Sequence, residues 1–214
     1  MAALAFGAIS CSSTSASKPQ ATALGPVEVR EYKGERLGSS KDFRENSIKG
    51  PQRVDTAKYR LLVTGKTDRM LSCTYREVTD SFPLYSKVIT LYCVEGWQVK
   101  ILWEGILVSD LLREAGIDSS AKTVIFTAAD GYTTSLPLNY ILERNILLAH
   151  KMNGLPLRPE RGFPFELAAE DKWGYKWIKW VTKIELSSDT TYQGYWERRG
   201  YSNEGDLNKG FYEP

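Results

Sequence analysis

Cys93 is the residue of this sequence best placed to do chemistry. It closes the strand-like run Lys87-Val88-Ile89-Thr90-Leu91-Tyr92 and precedes Val94-Glu95-Gly96-Trp97. A cysteine at a strand end, where glycine loosens the chain, can present its sulfur to a pocket, and a thiolate is a soft metal ligand. The residue reads equally as a buried structural cysteine, or as half of a disulfide with Cys73 in an exported protein. The second candidate is Lys172-Trp173-Gly174-Tyr175-Lys176-Trp177-Ile178-Lys179-Trp180. On a helix, Lys172, Lys176, Lys179 and Lys183 would share one face beside the tryptophans, as on a membrane-surface helix. Gly174 and the strand-prone Val181-Thr182-Lys183-Ile184 oppose that helix. As a loop feeding a strand, the segment's lysines and backbone N–H groups can hold an anion such as a phosphate. A solvated basic loop beside core tryptophans is the plainer reading. Asp130-Gly131-Tyr132, Asn153-Gly154 and Arg161-Gly162-Phe163-Pro164 read as turns. His150, within an apolar run, reads as a core or edge histidine.

These residues need a scaffold, and the composition says what kind. The chain has 214 residues, with 28 Lys+Arg, 26 Asp+Glu, one His and three Cys. A net charge of +2 gives no electrostatic case for nucleic acid as a partner. One histidine and three cysteines exclude His-rich and four-Cys zinc sites. Strands are expected over Tyr59–Thr64 (closed by Gly65), Lys87–Cys93, Gln98–Leu102, Thr123–Thr127, Tyr132–Leu136 and Lys179–Leu186. Thr74-Tyr75-Arg76-Glu77 has the capping-box form of a helix start. Leu107, Leu111, Leu112 and Ala115 have helical spacing ahead of Gly116, and Pro137 opens a third short helix. Strands and short helices mix without βαβ regularity, so the fold class is α+β with mixed β-sheets and short helices. Residues 27–58 are polar and read as extended chain over the surface of one domain, 27–214. Residues 1–26 read as a signal remnant and flexible tether: a short apolar run, then Ser10-Cys11, where a lipobox-type cysteine would anchor the chain.

Taken in order, Leu91-Tyr92-Cys93-Val94-Glu95-Gly96-Trp97, Trp103-Glu104-Gly105, Asp130-Gly131-Tyr132, Asn153-Gly154, Gly162-Phe163-Pro164, Trp173 to Trp180 and Gly194-Tyr195-Trp196-Glu197 resemble the molybdopterin-binding domain of the sulfite-oxidase superfamily. The resemblance runs from Arg44 to Ser202. It is nearest the prokaryotic branch that includes the catalytic subunit of periplasmic methionine-sulfoxide reductase. It implies a sulfite-oxidase-type fold and a molybdenum held by one pterin dithiolene and one protein thiolate, with tungsten not distinguished. Cys93 matches the thiolate. Lys176 and Lys179 match the segment that grips the pterin phosphate, with backbone from Gly174 and Tyr175. Asn46 matches a cofactor-contacting asparagine, and Asp130 and Tyr132 lie where the family's chain passes the cofactor.

The chain also departs from that branch. An asparagine and, five positions on, an arginine become Arg161 and Glu166, and a cofactor-contacting threonine becomes Ala128. Glu95, two residues past the thiolate, would repel a sulfite dianion. It favours a neutral substrate such as an S-oxide or N-oxide, and is a candidate proton relay. It reads equally as a loop carboxylate capping backbone N–H groups. Sulfite-type oxidation and a non-catalytic surface module that kept the fold are the competing readings. The sequence has no C-x-x-C-H haem motif and no flavin fingerprint. Electrons are therefore expected from a separate redox partner, a quinol-linked membrane subunit or a c-type cytochrome. The expected location is periplasmic or on the outer face of the cell membrane.

Overall fold

Ten-residue strand β6 (Gln98–Leu107) is the spine of the molecule, because alternate residues Val99, Ile101 and Trp103 are buried along it. A computed structural model describes residues 26–212, so the expected leader and the Cys11 anchor lie outside the described residues. The chain enters as irregular coil carrying a small hairpin, β1 (Glu31–Tyr32) and β2 (Glu35–Arg36). There follow β3 (Leu61–Gly65), β4 (Leu71–Cys73), α1 (Tyr75–Ser81) and β5 (Tyr85–Tyr92) ahead of β6. Beyond it lie α2 (Val108–Ala115), β7 (Thr123–Ala128), β8 (Thr133–Pro137), α3 (Leu138–Arg144), β9 (Leu147–Met152), β10 (Leu155–Pro156), β11 (Glu166–Ala168) and β12 (Val181–Ser187).

The strands form two layers. One sheet has the order β10-β9-β6-β5, with β11 also paired to β9, and all its pairs are antiparallel. The other has the order β4-β3-β12-β7-β8. There β12 runs parallel to β3 and antiparallel to β7, which makes the sheet mixed. The α+β reading with mixed sheets and short helices is what the chain adopts. Local signals act as expected. Thr74 accepts from the Glu77 N–H at 3.1 Å and Glu77 returns to the Thr74 N–H at 2.7 Å, a complete capping box. Asn153 and Gly154, both at positive φ, turn β9 back into β10.

Two contacts fix the frame around the cavity described below. A side chain at Gly105 would reach within 2.2 Å of the Leu148 carbonyl, so only glycine lets β6 lie against β9 there. Asn153 is fully buried and ties three segments: it accepts from the Leu102 N–H at 3.0 Å and donates to the Gly38 carbonyl at 2.9 Å and to Glu28 at 3.0 Å. The N-terminal strap is thereby pinned to the spine. Residues 44–47 of that strap are irregular, and Phe43, Asn46, Ser47 and Ile48 of it line the cavity.

Candidate active site

Cys93 follows β5 directly and begins a tight turn. Its N–H donates to the Trp97 carbonyl at 2.9 Å, and its own carbonyl accepts from Gly96 at 3.0 Å. Gly96 takes positive φ to close this loop. The loop turns the thiol into a cavity that opens to solvent. Cys93 itself is only 5% exposed. Cys73 and Cys93 are both free thiols, so the disulfide alternative does not hold.

Three groups surround the sulfur. Asn46 donates from Nδ2 at 3.6 Å. The Glu95 backbone N–H also hydrogen-bonds it. The Glu95 carboxylate lies 3.8 Å away and accepts from the Trp97 indole N–H at 2.9 Å. Burial pushes the free thiol's pKa up, and the Glu95 charge adds to that against the two hydrogen bonds. A cation at the sulfur would favour the thiolate over the thiol. Gly174 packs behind this loop; a side chain there would come within 3.2 Å of the Tyr92 carbonyl and 3.4 Å of Cys93 Cα.

A second part of the lining is charged. Arg161 and Lys179 both reach one oxygen of Glu45, at 3.2 and 3.1 Å. Arg161 also stacks over Phe43, 5.0 Å from the ring centroid. Glu45 further accepts from the Ser47 N–H at 2.8 Å and from its hydroxyl. Partial burial pushes the Glu45 carboxyl up, but the Ser47 hydrogen bonds and the Lys179 charge outweigh it and hold the pKa below the usual range. Glu166 faces the same cations, with its Oε2 buried and without a partner among the described residues. Burial raises its pKa to about 7, opposed by Lys179 and Arg161 and reinforced by Glu45.

Asp130 and Tyr132 line the cavity as a structural pair. Asp130 accepts from the Tyr132 N–H at 2.9 Å, and the Tyr132 hydroxyl donates to the Tyr175 carbonyl at 2.5 Å. Burial raises the Tyr132 phenol well above its ordinary value. Tyr175 in turn donates to the Ser202 carbonyl at 2.7 Å.

Nine of the ten residues expected at the site line this one cavity: Asn46, Cys93, Glu95, Asp130, Tyr132, Arg161, Gly174, Tyr175 and Lys179. Lys176 does not. Residues Gly174–Lys176 form one short 3₁₀ turn, and that turn points Lys176 away from the cavity. Its ammonium is fully enclosed and donates to Glu197 at 2.7 Å and to the Asn203 carbonyl at 2.8 Å. The basic segment is a turn feeding β12, so the shared helical face of lysines is absent too. Glu45 was not foreseen, although it adjoins Asn46. Nor were the aromatic walls Trp97, Trp196 and Tyr201.

The lining thus offers a soft thiol in one part and two cations in another. No three His, Cys, Asp or Glu side chains converge as a metal site among the described residues. A metal at Cys93 must therefore bring its other ligands with it. These features fit an organic cofactor that carries both a metal and an anionic group. The fold and site define a cofactor-binding domain.

Comparison with known proteins agrees. Residues 48–196 match the oxidoreductase molybdopterin binding domain family. The oxidoreductase YuiH of Bacillus subtilis is 35% identical over 157 residues, 73% of this chain and 78% of YuiH. YedZ1 of Azospira oryzae, described as a putative protein-methionine-sulfoxide reductase subunit, is 34% identical over 149 residues, 70% of this chain and 56% of that one. The sulfane dehydrogenase SoxCD of Paracoccus pantotrophus shares the fold with a TM-score of 0.64 at 22% identity, over 71% of this chain and 42% of that one. The chain spans little more than half of the Azospira relative. The chain belongs to the oxidoreductase molybdopterin-binding family of the sulfite-oxidase superfamily, and its cofactor is molybdenum–molybdopterin.

Proposed function

We propose that this oxidoreductase removes an oxygen atom from a small neutral S-oxide or N-oxide, using electrons from a separate protein. The observation that carries this is the charge around Cys93. The groups touching the sulfur are Asn46 and Glu95, an amide and a carboxylate. Among the described residues lining the cavity, the cations Arg161 and Lys179 are both engaged by Glu45. A dianion such as sulfite would meet Glu95 without a free counter-charge. A neutral oxide meets no such cost.

When bound, the cofactor supplies two-electron oxygen-atom exchange at a metal that takes one protein thiolate. Cys93 is that ligand, and Asn46 with the Glu95 N–H stabilises its negative sulfur. Lys179 and Arg161 hold the pterin phosphate as fixed positive charge. The net reaction consumes two electrons and two protons and yields the reduced substrate and water. Glu95, held by the Trp97 indole beside the sulfur, can relay one of those protons in from solvent, and solvent supplies the other. Trp97, Trp196 and Tyr201 line the cavity with apolar faces that limit water.

That the Azospira relative is described as a subunit supports a separate redox partner. The Ser10-Cys11 run supports export with a lipid anchor, on the outer side of the cell membrane. The test has two parts. Protein from a host that makes the pterin is analysed for metal, beside Cys93→Ser. About one molybdenum per chain, lost or weakened in the variant, is expected; an unchanged metal content and full activity in Cys93→Ser would exclude Cys93 as the ligand. The loaded wild type is then assayed against a sulfoxide, an N-oxide and sulfite. Turnover of sulfite alone would replace this reading with sulfite oxidation.

A further inference from the structure

The charged part of the cavity holds more acid than an anion site should. Arg161 and Lys179 are the cations that face it. With Glu45 and Glu166 both ionised, the four side chains sum to no net charge, and a phosphate would enter against two carboxylates. Resting on the cofactor reading above, we propose that Glu166 serves this subsite as a neutral hydrogen-bond donor to a phosphate monoester held on Arg161 and Lys179, and that Glu45 is the internal carboxylate the phosphate displaces.

Three observations carry this. First, Glu45 occupies the donors an anion would use: a guanidinium, an ammonium, a backbone N–H and a hydroxyl. It does so from residues 44–47, which lie outside any strand or helix, so it can withdraw without breaking a ladder. Second, Glu166 is anchored on β11 and cannot withdraw. Its ladder partner on β9 is uncharged Ala149. Gly162 closes over it, since a side chain there would lie 2.9 Å from Glu166 Cβ and 3.2 Å from its Oε2. Third, Oε2 is enclosed with no partner among the described residues. A buried carboxyl oxygen so placed needs either a proton of its own or a donor from the ligand. The charged groups acting on it are Lys179 from the turn before β12, Arg161 from the turn before β11, and Glu45 from the strap. Burial outweighs the two cations, so the acid keeps its proton to about pH 7, and an arriving phosphate strengthens that hold. The bound subsite then sets two cations and a neutral donor against the phosphate.

The probe is sulfate, a dianion whose own charge does not change between pH 6 and 8.5. Calorimetry on the cofactor-free full chain should show sulfate affinity falling about tenfold per pH unit above pH 7. Glu166→Gln keeps a donor but cannot ionise, so its affinity should vary less than about twofold over that range. Glu45→Gln should bind sulfate more tightly at both ends. A flat wild-type profile, or the full slope surviving in Glu166→Gln, would overturn the role of Glu166. Glu45→Gln binding no tighter than wild type would overturn displacement. The loaded protein gives a second readout, the rate at which fluorescent pterin is released. That rate should climb above pH 7 in the wild type and stay level in Glu166→Gln. Pterin present with no such slope would sink this proposal alone. Pterin and metal absent, with the sulfate pattern as expected, would instead sink the cofactor reading.

Discussion

Lys176→Met separates two roles for one lysine. The Lys176 and Glu197 side chains are both 0% exposed. One Glu197 oxygen takes Lys176 and the Thr134 hydroxyl, each at 2.7 Å, and the other has no partner among the described residues. Burial lowers the Lys176 pKa, and the Glu197 charge restores part of it. Methionine fills the volume but leaves a buried carboxylate with one hydroxyl and leaves the Asn203 carbonyl without this donor. Breaking a buried pair from one side costs about 3–5 kcal/mol. At about 2–4 °C per kcal/mol for a domain of this size, Tm should fall by about 6–20 °C. The double variant Lys176→Met/Glu197→Leu should recover most of that loss, because no charge is then stranded. Calorimetry on cofactor-free and loaded protein is the assay. A lysine that gripped the phosphate would matter only when the cofactor is bound. The reasoning is refuted if Lys176→Met leaves the cofactor-free Tm within about 2 °C of wild type while the loaded protein sheds its pterin.

Asn153→Ala removes one buried and two part-buried hydrogen bonds and a residue suited to positive φ, so a loss of about 2–4 kcal/mol is expected in urea unfolding, with faster exchange of amides in residues 28–47. Gly105→Ala places a methyl 2.2 Å from the Leu148 carbonyl and should separate β6 from β9, giving little folded protein by circular dichroism. Glu166, raised by burial from 4.5 to about 7, binds more protons folded than unfolded in that window, so its contribution to stability falls by about 3 kcal/mol as pH rises through it; Glu166→Gln should be the more stable form at pH 8 in cofactor-free protein. His150, lowered by burial from 6.5 to about 4, works the other way: the unfolded chain binds the extra proton, so stability is lost as pH falls through that range. The two slopes oppose each other between about pH 4.5 and 6.5. The wild-type Tm should therefore vary less there than that of either Glu166→Gln or His150→Phe, and a steeper wild-type profile would refute the pairing.

What the sequence revealed is what local chemistry decides. Thr74 and Glu77 three residues apart, Gly116 after α2, and Asn153-Gly154 between two strands each act within one turn of chain, and each stands where expected. Cys93, Asp130 and Lys179 were found because their spacing follows a family pattern, and Arg161 because it departs from one. Hidden were the partners. Lys176 and Lys179 sit three residues apart in one basic segment, yet Glu197 encloses the first and Glu45 meets the second. Those acids arrive from 21 positions downstream and 134 upstream. Nothing local to either lysine reports them. β11 was missed for a related reason: its three residues, Glu166–Ala168, are short, follow Pro164, and become a strand only by pairing with β9.

The distribution of acids also bears on what the site can turn over. A protein that oxidised a dianion would gain from an unpaired cation near the metal ligand, because charge focused in a walled cleft raises local substrate concentration. Here the two cations of the lining lie with Glu45 and Glu166, while Glu95 is the charged group touching the sulfur. Moving Glu45 onto solvent would free both cations, but a phosphate then takes them up. The field left for substrate is that of Glu95 among Trp97, Trp196 and Tyr201, apolar faces with hydrogen-bonding edges. Such a field discriminates against anions more than it selects among neutral molecules. Glu95→Gln should therefore raise the affinity for sulfite as an inhibitor while slowing reduction of a sulfoxide, and an unchanged sulfite inhibition constant would mean that Glu95 does not set the charge preference of the site.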